Sequence, residues 1–325
     1  MILSNSRYTI LRVGSLPGSS LQHSLQHSSP SLSLLRPFST SKPPKEPLVI
    51  TTTTPSGITT IRMNNPKKLN GWTEPMLLSL FSSFQSASSS PSTKAVIITG
   101  TGPYYCAGVD LSGTIKPMPP SELHDMIYTS NKKVFDTFLT FPKPIIAAIN
   151  GPAIGASVTT STLCDYVVAG ESATFLTPFA RLGVPPEGCS SVHFEYLMGE
   201  EGGRMLGDEA YMPTGREAVE IGLIDECVRD EELERRAVEV AEEWIKDEEK
   251  IKGGRSHRGF KDTEFMLKVN DGESQDLADS FLSEKFLGAQ AKFLESKGKT
   301  IPSLVFKILV ATRPLWKGLY KPFKQ

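Results

Sequence analysis

Three places in this sequence hold residues that could do chemistry together: two glycine-rich stretches and one glutamate. The first stretch is Ile97–Leu111, reading IITGTGPYYCAGVDL, and the second is Ala147–Ser157, reading AAINGPAIGAS. Each leaves an apolar run and passes through small residues into a predicted helix start. Small residues let a ligand approach the backbone closely, and the first N–H groups of a helix have no partner within it. Two such donors aimed at one carbonyl oxygen would stabilise negative charge developing there, and loss of one donor typically costs about 10²–10³ in rate. Read alone, glycine-rich strand ends are also plain turns, and that alternative stays open. The acid is Glu187, set between Val184-Pro185-Pro186 and Gly188-Cys189. Apolar surroundings disfavour an ionised carboxyl and would lift its pKa towards the ~6–7 useful to a general base. Without further context, a lone Glu before Gly fits a surface loop better.

Other reactive residue types offer less. Cys106, Cys164, Cys189 and Cys227 form no C-x-x-C pair, and His23, His27, His124, His193 and His257 show no ligand spacing, so neither a disulfide framework nor a metal site is expected. Glu171 and Asp165 read as structural residues at a turn and a strand start, and His193 as a partly exposed helix position.

The elements that must position these residues alternate between strand and helix. Leu48–Thr54 and Ile58–Met63 are β-branched runs around Pro55-Ser56-Gly57, a hairpin signal. Thr73-Glu74-Pro75 starts a helix that carries Met76, Leu77, Leu80, Phe81 and Phe84 on one face and gives way to a Ser-rich loop over 86–92. Ala95–Thr99 is a short apolar run suited to a strand buried on both faces. A helix over 121–141, a strand at Pro144–Asn150, a turn through Gly151–Gly155 and a helix from Ala156 follow. Asp165–Ala169 and Ala173–Thr177 read as strands, and the chain after Thr214 as helices at 214–222, 230–250, 275–296 and 302–320. Strand–helix alternation followed by helices predicts a layered α/β domain with a helical C-terminal region.

The 325 residues carry 39% hydrophobic and 22% charged side chains, as in globular enzymes, and no apolar stretch long enough to span a bilayer. Residues 1–45 hold five cations (Arg7, Arg12, Arg36, Lys42, Lys45), twelve serines and no acid, the composition of a mitochondrial transit peptide. Removing those five from 35 cations leaves 30 against 36 acids, so the rest is mildly acidic and no general polyanion binder. The ending Lys321-Pro-Phe-Lys-Gln is not an S-K-L-type peroxisomal address, so the expected location is the mitochondrial matrix, with the peroxisome as the alternative.

Taken in order, Ile61–Asn70 (IRMNNPKKLN), Tyr105–Leu111 (YCAGVDL), Ala147–Val158 with Cys164-Asp165, and Pro213–Asp225 (PTGREAVEIGLID) resemble the successive signatures of the enoyl-CoA hydratase/isomerase (crotonase) superfamily. Within it, Thr174–Ser191 is similar to the Δ3,Δ2-enoyl-CoA isomerase branch. The resemblance implies an α/β crotonase (ClpP-like) fold of repeated ββα units forming layered sheets, with a core domain at 46–256 and a C-terminal helical region at 257–325 for substrate tunnel and oligomerisation. It implies that the backbone N–H groups of Val109 and Ala156 form the oxyanion hole. Ala107, Gly108, Asp110, Leu111 and Gly155 would contact the acyl-CoA, with Asp110 as a cap or turn residue in place of a reactive acid. It further implies an acyl-CoA thioester substrate, no cofactor beyond the CoA the substrate carries, no metal, and a trimer or pair of trimers. Lys67, Lys68, Lys285 and Lys292 are candidate partners of the CoA phosphates, or ordinary solvated lysines.

Hydration of an enoyl thioester needs two carboxylates, and the two positions where this family's hydratases carry them read Thr159 and Phe179. Double-bond migration needs one base, which the resemblance places at Glu187. The expected function is therefore Δ3,Δ2-enoyl-CoA isomerisation. The rivals are dienoyl-CoA isomerisation and acyl-CoA hydrolysis, both disfavoured because Ser157–Leu163 contains no acid. A non-catalytic RNA-binding homologue is disfavoured because Glu231–Lys250 is dominated by acids.

Overall fold

The computed structural model describes residues 46–110, 118–247, 257–260 and 262–317. The expected transit segment and Leu111 lie outside them. Strands β1 (Val49–Thr53) and β2 (Ile58–Met63) pair antiparallel across the expected turn, where Gly57 takes φ +96°. Helix α1 (Glu74–Ser89) starts where Thr73 accepts from the Met76 N–H and Pro75 sets the first turn. It runs on through Ser89 instead of ending at 86, because Ala87 is buried against the core and the Ser89 hydroxyl back-bonds to the Gln85 carbonyl at 2.9 Å. There follow β3 (Ala95–Gly100), α2 (Pro120–Leu139), β4 (Ile145–Ile149), β5 (Ala153–Ile154), α3 (Ala156–Thr162), β6 (Tyr166–Gly170), β7 (Phe175–Leu176), α4 (Phe179–Leu182), α5 (Ser190–Gly207), α6 (Gly215–Glu220), β8 (Glu226–Val228), α7 (Leu233–Lys246), α8 (Thr263–Phe281), α9 (Glu284–Ser296) and α10 (Thr300–Trp316).

Six strands form one sheet in the order β1-β2-β3-β4-β6-β8, parallel from β2 onward, and β5 pairs with β7 in a separate two-stranded sheet. The two-fold periodicity of a strand divides the central residues between two layers. Ile58, Ala95, Ile97, Ile146, Ala148 and Val168 face α7, which covers them with Leu233, Ala237, Val240, Ala241 and Trp244. Val96, Ile98, Ala147, Ile149, Val167 and Ala169 face the larger core, with α1 and α2. Each valine, leucine or isoleucine among them withdrawn from water contributes roughly 1.5–3 kcal/mol of gross burial energy, and each alanine less. Both faces being covered is why β3 and β4 read as unbroken apolar runs.

Three expectations need correction. Strand β5 lies inside the stretch read as a turn, and β8 lies in the gap between the helices read at 214–222 and 230–250, where no strand is expected; two- and three-residue strands carry no periodic signal, and pairing with β7 and β6 creates them. The single helix expected at 275–296 is two. Helix α8 ends at Phe281, and Ser283 starts α9 by accepting from the Phe286 N–H. Among the described residues no helix is long and apolar enough to cross a membrane.

Candidate active site

The two glycine-rich stretches end β3 and β4, neighbouring parallel strands, so the topology lays them side by side. Asn70, Asn150 and Ser157 lock them there. The buried Asn70 side chain donates to the carbonyls of Thr101 and Tyr104 at 3.0 and 2.8 Å. Asn150 accepts from the Gly100 N–H at 2.9 Å and donates to the Gly102 carbonyl at 2.9 Å. The Ser157 hydroxyl donates to the Cys106 carbonyl at 3.1 Å and accepts from the Ile154 N–H at 2.9 Å, bridging both stretches. Gly108 has φ +80°, and a Cβ there would stand 2.6 Å from the Ile154 carbonyl oxygen; glycine alone fits.

Among the described residues this frame leaves two amides without an acceptor. Around Val109 the chain pairs with Trp72 through Trp72 N–H to Gly108 O (2.8 Å) and Asp110 N–H to Trp72 O (3.1 Å), which uses the Gly108 carbonyl and the Asp110 N–H on either side. Ala156 is the first residue of α3, and Val158 and Thr159 donate to Gly155. Neither the Val109 nor the Ala156 N–H has an acceptor among the described residues, and both residues line one cavity of about 450 Å³. Ala107, Gly108, Gly155 and Glu187 line it too. Asp110 is not among its lining residues, nor are Lys67 and Lys68, which are exposed on a turn at Pro66–Lys68. Lys285 and Lys292 line a separate depression with Glu284. The walls are apolar, with Leu77 and Phe81 from α1, Val134 and Phe135 from α2, and Leu277 and Phe281 from α8.

Glu187 is half-buried on the loop between α4 and α5. Its Oε2 accepts from the Asn131 side-chain amide at 2.6 Å, and the Asn131 carbonyl oxygen accepts from the Ser274 hydroxyl at 2.9 Å. Burial pushes the Glu187 carboxyl up to about 7; the Asn131 hydrogen bond opposes this and the nearby Glu273 charge adds to it. The loop is held from α8, where the buried Glu273 accepts from the Cys189 and Ser191 N–H groups. Gly188 packs against the Phe135 ring, since a Cβ there would meet Cε1 at 2.3 Å. Asn131, Ser274 and Glu273 carry no signal in the sequence, because helices far apart in the chain bring them to the loop.

Thr159 is fully buried and donates to the Ala156 carbonyl, and Phe179 is a wall residue, so neither offers a second carboxylate. The other acid on the cavity wall is Glu74, exposed in the first turn of α1. His193 is fully buried, not partly exposed as expected, and its Nε2 lies 3.2 Å from the His257 carbonyl. Burial pushes the Cys106 thiol up to about 12, which argues against a thiolate nucleophile at that position.

Two strand-end amides without acceptors among the described residues, beside a half-buried acid, form an arrangement suited to stabilising negative charge on an acyl oxygen. The chain belongs to the enoyl-CoA hydratase/isomerase (crotonase) family, whose model matches residues 53–285. It is 31% identical to human enoyl-CoA delta isomerase 2 over 271 residues, 78% of this chain and 64% of the human protein. It is 38% identical to mouse peroxisomal enoyl-CoA delta isomerase 3 over 180 residues, 54% of this chain and 56% of the mouse protein. The chain thus spans less than two thirds of these two relatives. A crystal structure of an enoyl-CoA hydratase/isomerase from Pseudoalteromonas atlantica T6c superposes with a TM-score of 0.67 at 24% identity, covering 77% of this chain and 97% of that one, a likeness of fold.

Proposed function

We propose that this protein is a Δ3,Δ2-enoyl-CoA isomerase. The thioester oxygen accepts from the Val109 and Ala156 N–H groups. Ionised Glu187 removes a proton from C2 of a 3-enoyl thioester; the C2–H electrons form a C1–C2 double bond as the carbonyl π electrons move onto the thioester oxygen, giving a dienolate. On protonation at C4 the C3–C4 electrons take the proton while the C1–C2 pair becomes the C2–C3 double bond and the carbonyl re-forms. The same carboxyl then returns the proton at C4, leaving a 2-enoyl thioester, so atoms and charge balance with no co-reactant. One observation carries this reading: a half-buried carboxyl with pKa raised to about 7 shares a cavity with two unpartnered amides, and the positions for a second acid hold Thr159 and Phe179. A carboxyl of that pKa is partly ionised at neutral pH yet basic enough to take a weakly acidic α-proton.

The test is an assay of 3-enoyl-CoA for conjugated 2-enoyl product beside an assay of 2-enoyl-CoA for hydration. Glu187→Gln should lower isomerisation by about 10²–10⁴-fold with folding intact, and Glu74→Gln should leave it within a few-fold. Faster hydration than isomerisation in the wild type, or substantial turnover by Glu187→Gln, rejects the assignment. The acid-free, serine-rich residues 1–45 support the mitochondrial matrix, whereas the mouse relative is described as peroxisomal. A fusion of residues 1–45 to a fluorescent protein decides the point: mitochondrial staining supports the matrix and diffuse staining rejects it.

A further inference from the structure

Helices α2 and α8 pack along facing stripes. Leu123 and Ile127 of α2 meet Leu277, Ala278 and Phe281 of α8 in one apolar cluster. Further along each helix the stripe turns polar. Asn131 continues the α2 row, and Ser274 and Asn270 continue the α8 row, at the three- and four-residue steps of one helix face. Ser274 and Asn270 are fully buried. A buried polar group costs stability unless it is hydrogen-bonded, and apolar residues would fill these places without that demand. The hydrogen bonds of this polar stretch lead to Glu187.

Asn270 donates both amide hydrogens, to the Lys132 carbonyl at 3.1 Å and to Asp136 Oδ1 at 2.9 Å, which leaves its own carbonyl facing Ser274. The Ser274 hydroxyl carries one hydrogen and stands between two carbonyl oxygens, Asn131 Oδ1 at 2.9 Å and Asn270 Oδ1 at 3.4 Å. The nearer oxygen takes it. With Asn131 Oδ1 held on that side, its Nδ2 faces Glu187 and donates to Oε2 at 2.6 Å. A donor on the carbonyl end also polarises the amide and strengthens the bond its N–H makes. Resting on the reading of Glu187 as the base, we infer that Ser274 is a positioning residue: its hydroxyl sets the direction of the Asn131 amide and so keeps an N–H on the carboxylate that takes the proton. Neighbouring residues of α8 thus hold the base in two ways, Glu273 through the loop backbone and Ser274 through the carboxyl. A hydrogen bond to the ionised form favours it, so this chain of contacts opposes the burial that pushes the carboxyl up. The ionisable groups around the carboxyl and this chain are Glu273 from α8 and Cys189 on the loop, with Lys133 and Glu74 on the cavity wall. Beyond Asn270 lie the Lys132–Asp136 pair, Asp271 and Tyr128. Ser274→Ala alters none of these charges, so a moved titration reports the hydrogen bond.

The experiment follows Glu187 itself, by NMR of its isotopically labelled carboxyl carbon in the resting full chain, with the signal assigned by its loss in Glu187→Gln. Beside it runs the pH profile of kcat/KM for 3-enoyl-CoA. Ser274→Ala should raise both midpoints by about half a pH unit, so that kcat/KM falls about threefold on the acid limb and little at alkaline pH. Ser274→Cys, which keeps the volume and weakens the donor, should lie between, and Ser274→Thr, which keeps the hydroxyl, should restore the wild-type midpoint. In the Asn131→Ala background the further change Ser274→Ala should move nothing, because the serine acts through that amide. The cysteine variant keeps the test decisive if the alanine variant perturbs folding. An NMR midpoint unmoved in folded Ser274→Ala and Ser274→Cys, or an undiminished second shift in the double variant, overturns the inference. The NMR midpoint needs no turnover. A shift seen in a protein that fails to isomerise 3-enoyl-CoA therefore supports the hold of Ser274 on the carboxyl and rejects the isomerase reading alone.

Discussion

Glu187 is half-buried near Glu273, and both facts raise the free energy of its charged form. Its folded pKa, about 7, lies above the ordinary 4.5, so the folded protein binds more protons than the unfolded chain between those values. Stability must therefore fall as pH rises through that window. Glu187→Gln should lose activity yet be more stable at pH 8, by on the order of 1–3 kcal/mol, with a raised melting point at pH 8 and little change at pH 4; an equal or lower melting point at pH 8 contradicts it. Activity should rise with pH through about 7 as the carboxyl ionises. Asn131 acts on that value as a positioning residue. Asn131→Ala removes the hydrogen bond that favours the carboxylate, so the acid limb of kcat/KM should move to higher pH. An unmoved limb would reduce Asn131 to packing.

Among elements, the close approach of the β3 and β4 ends makes the amide pair, and single atoms can break it. Gly108→Ala places a Cβ 2.6 Å from the Ile154 carbonyl at φ +80°, a conformation that strains an L-residue by about 1–3 kcal/mol. It should reduce kcat at least tenfold with a smaller change in melting temperature. Helix α8 holds the Glu187 loop through Glu273, which satisfies two backbone N–H groups. Glu273→Ala strands both donors at about 1–3 kcal/mol each, so it should lower stability and activity together. Preserved turnover in that variant would show that the loop holds its shape without α8.

At the scale of the whole molecule, the chain after α7 is tied to the core through two buried histidines. His193 Nε2 lies 3.2 Å from the His257 carbonyl, and His257 Nδ1 lies 2.9 Å from the Leu163 carbonyl. Burial, and secondarily the Arg258 charge, hold His193 down to about 3, so it stays neutral in the folded protein where the unfolded chain becomes protonated. Its contribution is complete above about pH 6.5 and is lost as pH falls from there towards 3. His193→Gln should therefore show a flatter melting temperature between pH 6.5 and 4 than the wild type. Parallel curves would exclude this histidine as a source of acid sensitivity.

The sequence determined by itself whatever depends on neighbours along the chain. The Thr73 cap, the Gly57 hairpin, the buried run at Ala95–Gly100 and the small residues of both glycine-rich stretches are local demands of backbone geometry, legible as residue types at fixed spacing. Resemblance then ordered the stretches into one family and nominated Glu187. Only the tertiary structure decided which groups meet. Asn131, Glu273 and Ser274 reach the Glu187 loop from α2 and α8, partners 56 to 84 positions away or joined to it through one another. The short strands β5 and β8 exist because neighbours offer pairing partners, and His193 is buried because the segment at 257–260 covers it. Long-range contacts of this kind have no period and no composition; they follow from packing, where the free energy depends on which surfaces close on one another.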